Sequence, residues 1–198
     1  MDLFPPDATL ITIPLVDGEL AMLTQLPLSL DNGTVMARLL AETAWRSESI
    51  TLWGKQFLQP RLTAWYGDAS YTYSGLTMEA LPFTPLLAEI KHAVEQASGR
   101  AFNSVLLNYY RNERDSMGMH SDDEAELGTE PAIASVSFGA TRTFILRHKR
   151  NKRTVRVDLT DGSLLLMAGA TQSNWSHGIN KGTAPKGPRI NLTFRFIC

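Results

Sequence analysis

One cysteine stands in 198 residues, and it is the last, Cys198. That excludes a disulfide framework and suits a reducing compartment. No run of 18 apolar residues occurs, so no membrane-spanning helix is expected. The opening MDLFPPDATL lacks a basic start and a long apolar stretch, so no signal peptide is expected either. Charge of one sign is missing as well: 19 Lys and Arg against 20 Asp and Glu leave a formal net of −1. Any surface made for a polyanion must then be local. These absences predict a soluble intracellular protein, cytoplasmic or nucleoid-associated, or nuclear in a eukaryote. A hydrophobic content of 43% supports a real core, and the length suits one domain.

Histidine is also scarce, with four in the chain, and one of them is well placed. His120 and Asp122 are two residues apart, and positions i and i+2 of a strand point to one side. An imidazole and a carboxylate can thus reach one cation. Two nitrogens and one oxygen on one face, with other positions open, is the site type of non-haem Fe(II) oxygenases. His177 is the natural third ligand. A lone His-x-Asp is equally often a surface histidine before an acidic turn. The C-terminus adds weight. From Arg189 to Ile197 the chain alternates: Ile190, Leu192, Phe194 and Phe196 on one face, Arg189, Asn191, Thr193 and Arg195 on the other. That polar face is either simply wet or a seat for a dicarboxylate, since guanidinium binds carboxylate through paired charge-assisted hydrogen bonds.

Elsewhere, residues 31–46 carry Val35, Met36, Leu39 and Leu40 at one-turn spacing and read as a helix capped by Asp31 or Thr34. Thr84 to Gly99 is a clearer one: Thr84 caps, Pro85 begins, Gly99 ends. Its His92 lies outside any motif. Residues 10–15 suit a short strand, and from Phe102 onward short strands follow one another, punctuated by glycines 139, 162 and 169. Many short strands without intervening helices predict a sandwich or barrel, and a jelly roll supplies a cavity open at one end. Residues 49–75 are aromatic and strand-like, which fits either a core hairpin or a platform for a base taken out of its stack. RHKRNKRTVR, residues 147–156, has six Lys or Arg in ten, either a solvated hairpin tip or a contact for backbone phosphates.

Together, Asn108-x-Tyr110, His120-x-Asp122, His177 and Arg189-x-Asn191-x-Thr193-x-Arg195 resemble the AlkB family of Fe(II)/2-oxoglutarate dioxygenases. Upstream, Leu52-Trp53-Gly54-Lys55, Pro60-Arg61, Tyr66-Gly67-Asp68-Ala69 and Tyr71-Thr72-Tyr73-Ser74-Gly75 are similar to the branch acting on alkylated bases in double-stranded DNA. The blocks 131–139 and 162–167 fit that branch, and the match covers about three quarters of the chain. The resemblance implies a mainly β fold with flanking helices, a double-stranded β-helix with an N-terminal nucleotide-recognition lid. Within one domain it implies an arm and buttressing helix over 1–48, the lid over 49–80 and the catalytic core over 81–198.

It further implies Fe(II) on His120, Asp122 and His177, with 2-oxoglutarate and O2 as co-substrates. Arg189 would meet the keto-acid carboxylate of 2-oxoglutarate and Arg195 the far one, with Asn108, Tyr110, Asn191 and Thr193 completing its hydrogen bonds. Trp53 would be the wedge entering the vacated stack, Tyr73 the stacking face and Tyr71 its neighbour. Ser74 would contact the target strand, and Gly54 and Arg61 would also bind the substrate. Glu124, with Asp123, would favour a cationic alkylated base. Lys149, Arg150, Lys152 and Arg153 would meet DNA backbone. The expected function is oxidative demethylation of 1-methyladenine- and 3-methylcytosine-type lesions by a monomer. The alternatives are an oxygenase of the same fold acting on RNA, protein or lipid, and a catalytically silent jelly-roll binding module.

Overall fold

A computed structural model describes residues 9–52, 55–68, 71–73, 76–78 and 80–198, with backbone alone for 50–52, 55–57, 71–73 and 76–78. Among the described residues β1 (Ile11–Thr12) and β2 (Glu19–Leu23) come first, then α1 (Asn32–Glu42). Two short hairpins follow, β3 (Ser49–Leu52) with β4 (Lys55–Leu58), and β6 (Tyr71–Tyr73) with β7 (Leu76–Met78), separated by β5 (Leu62–Gly67). After α2 (Pro85–Ser98) come β8 (Ser104–Tyr110), β9 (Met117–His120), β10 (Ile133–Gly139), β11 (Arg142–His148), β12 (Thr154–Leu159) and β13 (Leu164–Ala168). A single turn, α3 (Thr171–Asn174), leads into β14 (Trp175–Ile179), and β15 (Arg189–Arg195) ends the chain.

Two sheets face each other. The larger has the order β1-β2-β13-β10-β15-β8-β5, the smaller β12-β11-β14-β9. Both helices lie on the outer face of the larger sheet, as the sequence predicts. Asp31 caps α1 by accepting the Thr34 N–H, and Thr84 caps α2 through the Leu87 N–H. Val35 and Leu39 of α1, and Leu86, Leu87, Ile90 and Val94 of α2, bury against Ile190, Leu192 and Phe194 of β15. Each such side chain contributes roughly 1.5–3 kcal/mol on removal from water. A second apolar core, including Leu106, Phe144, Leu146, Leu165 and Trp175, fills the space between the sheets.

Three features differ from the sequence reading. The α1 region ends at Glu42 because Arg46 already bridges to Thr63 in extended conformation. β5, inside the stretch expected as a lid, pairs along its length with β8 and is an edge strand of the larger sheet; the two hairpins flank it. And β15 is buried at all seven positions, so its polar face is not wet but turned between the sheets. Gly139 makes the approach to β15 workable: its φ is +89°, and a Cβ there would sit 2.4 Å from the Pro188 carbonyl.

Candidate active site

β9 and β14 are antiparallel neighbours, and their register sets His120 directly opposite His177. Strand pairing therefore brings the two imidazoles together across 57 residues of chain, with ring centroids 4.4 Å apart. Asp122 lies just beyond the end of β9. Its Oδ1 is 3.8 Å from His120 Nε2, and one ligand atom from each of the three residues lies within 4.8 Å of the others. Asp122 is held at both ends: its backbone N–H donates to Gln172 Oε1, and its Oδ1 accepts from Arg195 Nη2 at 2.9 Å.

The protonation states suit a cation. His120 Nδ1 lies 2.9 Å from the Gly118 carbonyl, so that nitrogen carries the proton and Nε2 keeps its lone pair. Burial pushes the His177 imidazolium down to about 3, so the ring is neutral. Burial works the other way on Asp122, but Arg195, His177 and His120 outweigh it and hold the carboxyl at about 2. Asp122 Oδ2 and His177 Nδ1 are buried without a hydrogen-bond partner among the described residues. Two imidazoles, an ionised carboxylate and an unsatisfied oxygen fit a hard-to-borderline divalent ion such as Fe(II).

The wall beside this triad is the polar face of β15. Asn191 pairs in register with Asn108, and Arg189 with Tyr110. Asn191 Nδ2 donates to Ser135 Oγ and to the Val136 carbonyl, and Thr193 Oγ1 donates to Asn191 Oδ1. Arg189 is 1% exposed, donates to Ser137 Oγ and lies over the Tyr110 ring. No carboxylate faces it among the described residues, and its Nε and Nη1 are unpartnered. Burial lowers it to about 10. A buried guanidinium without a counter-charge costs several kcal/mol, so the position suits an anion, and the geometry of a carboxylate fits it. The two arginines stand in the opposite order to that expected. Arg195 touches Asp122 and is therefore at the metal end, while Arg189 lies at the far end beside Tyr110.

The other expected residues are scattered. Arg61 is buried, and its Nε donates to Asn108 Oδ1 at 2.7 Å, so it buttresses the pocket wall from behind. Asp123 is exposed and pairs with Lys149 Nζ, whereas Glu124 Oε2 is buried and unpartnered. Lys149, Arg150, Lys152 and Arg153 occupy the tip between β11 and β12; Lys149 also donates to the Gln172 carbonyl, and Arg150 reaches Asp17 at 3.4 Å. Trp53, Gly54 and Ser74 lie outside the described residues, as do the side chains of Tyr71 and Tyr73. Sequence reasoning missed Gln172, Ser135, Ser137 and Arg142. Arg142 is buried and donates to the carbonyls of Asn112, Asp115 and Asn180, with its guanidinium over Tyr110. These four act through backbone or through another side chain, and no spacing rule marks them.

The profile of the 2OG-Fe(II) oxygenase superfamily matches residues 29–195. The alpha-ketoglutarate-dependent dioxygenase alkB homolog 3 of Homo sapiens is 44% identical over 173 residues, 82% of this chain and 60% of that protein. The DNA oxidative demethylase ALKBH2 of Mus musculus is 44% identical over 158 residues, 75% of this chain and 66% of that protein. The matched stretch thus spans about three fifths to two thirds of those relatives. A solved structure of OsALKBH1 superposes with a TM-score of 0.65 over 92% of this chain and 100% of its own, at 19% identity, which speaks to fold. No helix among the described residues is long and apolar enough to cross a membrane. With its metal triad, its buried arginines and its AlkB relatives, the chain belongs to the 2OG-Fe(II) oxygenase superfamily.

Proposed function

We propose that the chain is an Fe(II)- and 2-oxoglutarate-dependent oxidative demethylase of N-alkylated bases in DNA, with the duplex as its preferred form. The observation that carries this reading is the adjacency of two sites: the His120, Asp122, His177 triad, and a buried arginine wall joined to it through the Arg195–Asp122 contact. The names of the relatives support the substrate class.

His120, Asp122 and His177 hold the iron, and Gln172 fixes the backbone of Asp122. Arg195 serves the keto-acid end of 2-oxoglutarate, next to the metal, and Arg189 with Tyr110 serves the far carboxylate. Asn108, Asn191 and Thr193 line the span between. When bound, the metal, 2-oxoglutarate and O2 would supply the hydroxylation of the N-alkyl carbon, one oxygen atom going to that carbon and the other to the succinate formed with CO2; the hydroxylated carbon then leaves as formaldehyde. Everything else is aim and exclusion of water. Glu124 favours a base made cationic by alkylation, because the positive charge offsets the cost of its buried, unpartnered oxygen. Trp53 fills the vacated stack, Tyr73 stacks on the extruded base with Tyr71 beside it, and Gly54 and Ser74 follow the strand. The strand pairs β3–β4 and β6–β7 form the lid. Lys149, Arg150, Lys152 and Arg153 meet phosphates.

Succinate release tests the reading, measured on 1-methyladenine oligonucleotides in single- and double-stranded form, beside an unmethylated control. Methylated duplex should raise release most. No stimulation by either methylated DNA would sink the DNA reading, and stronger stimulation by single strands would sink only the duplex preference.

A further inference from the structure

His148 is the one buried histidine that the metal site does not use. It is 1% exposed and stands where β11 enters the basic turn. Its Nδ1 faces the backbone N–H groups of Arg150 and Asn151, at 3.2 and 3.3 Å. Two N–H donors require an acceptor, so the proton is on Nε2. Nε2 points at Asp17 Oδ2, 3.2 Å away. Backbone bonds tie the same residue in: His148 N–H donates to the Arg153 carbonyl and Lys152 N–H to the His148 carbonyl.

Asp17 is itself anchored. Asn174 Nδ2 donates to its carbonyl, and Trp175 Nε1 donates to the carbonyl of Val16. The His148 ring sits edge-on to Trp175 at 5.0 Å. Asp17 and Lys152 are two of the three non-glycine residues at positive φ among those described, +55° and +61°. Such conformations persist only where surroundings enforce them. The N-terminal arm, for which the sequence offers no role beyond packing, thus straps the basic turn to α3 and β14.

We propose that His148 and Asp17 are positioning residues for DNA: they hold the Lys149–Arg153 turn in the one conformation that presents its cations to successive phosphates. This rests on the phosphate reading of that turn given above.

The test is binding of the iron-loaded protein to a methylated duplex, with 2-oxoglutarate withheld, by fluorescence anisotropy across about 50 to 300 mM salt. Lys149, Arg150, Lys152 and Arg153 all changed to Ala should flatten the salt slope. His148→Ala should flatten it by about 1 to 2, with all four cations still present. His148→Asn should restore the slope, because its amide oxygen can accept the same two N–H groups as an Asx turn. Asp17→Gly tolerates the positive φ and tests the strap independently should His148→Ala fail to fold. Positioning predicts weaker binding on losing that carboxylate; tighter binding would mean Asp17 merely neutralises Arg150 and would overturn the proposal. A wild-type slope in His148→Ala beside a flattened quadruple variant overturns it too. An unchanged slope in the quadruple variant removes the phosphate reading itself, and the proposal with it.

Discussion

Asp122 divides its work between its oxygens: Oδ1 answers the Arg195 guanidinium, and Oδ2 is left for a cation. Asp122→Ala should therefore abolish 2-oxoglutarate turnover and also destabilise the metal-free protein by about 3–5 kcal/mol, since it strips the carboxylate facing a buried charge. Asp122→Asn should be equally inactive but lose less stability, because the amide oxygen still accepts from Arg195. Thermal melts in chelator and iron titrations separate the two. The arginines differ in the same way. Arg189→Ala should raise the 2-oxoglutarate KM about 100-fold and leave iron affinity alone, as loss of a charge-assisted pair implies. Arg195→Ala should disturb both, and equal effects on iron would return the two ends to the expected order. His177 gives a pH signature. Its folded value of about 3 lies below the ordinary 6.5, so the unfolded chain takes up the proton first. Metal-free stability should fall as pH drops from 6.5 toward 3, and His177→Gln should flatten that arm.

At the scale of elements, α2 was legible to the residue because cap, proline and glycine are local chemistry, whereas β14 was not. Trp-Ser-His-Gly-Ile is too short to show a period, and it becomes a strand only between β9 and β11. β2 was missed for a similar reason: Glu-Leu-Ala-Met-Leu favours helix, and pairing with β13 overrides it. The triad and its meeting were expected from His-x-Asp and the family resemblance, but the pairing of β9 with β14 that brings them together was not, because it depends on that unread strand. Gly178 shows how close the strands must come. A Cβ there would lie 2.8 Å from the Met117 carbonyl and 3.0 Å from that of Gly118, the acceptor that orients His120. Gly178→Ala should push β9 outward and weaken iron binding by about 10- to 100-fold, the usual cost of disturbing a ligand's orienting partner. An unchanged iron affinity would show that the second strand gives way freely.

Across the whole molecule, β15 has two buried faces: an apolar one packed against the helices, and a polar one of Arg189, Asn191, Thr193 and Arg195 turned toward the smaller sheet, beside the second apolar core. Period-2 alternation revealed both faces of that strand but not that both are buried, since burial of the polar face needs the second sheet. Arg189 without a counter-charge and Asp122 Oδ2 without a partner make the metal-free fold less stable than its packing allows. Ligands that complete those groups bind the folded chain and not the unfolded one. At about 100 times their dissociation constant they should add roughly 2.7 kcal/mol. For a chain of this length that is a rise in Tm of about 5–10 °C. Iron should account for one increment and 2-oxoglutarate for a second. Arg189→Ala should keep the first and lose most of the second, because only the far carboxylate's partner has gone. If 2-oxoglutarate raises the Tm of that variant as much as the wild type's, the co-substrate does not reach the buried end of the wall.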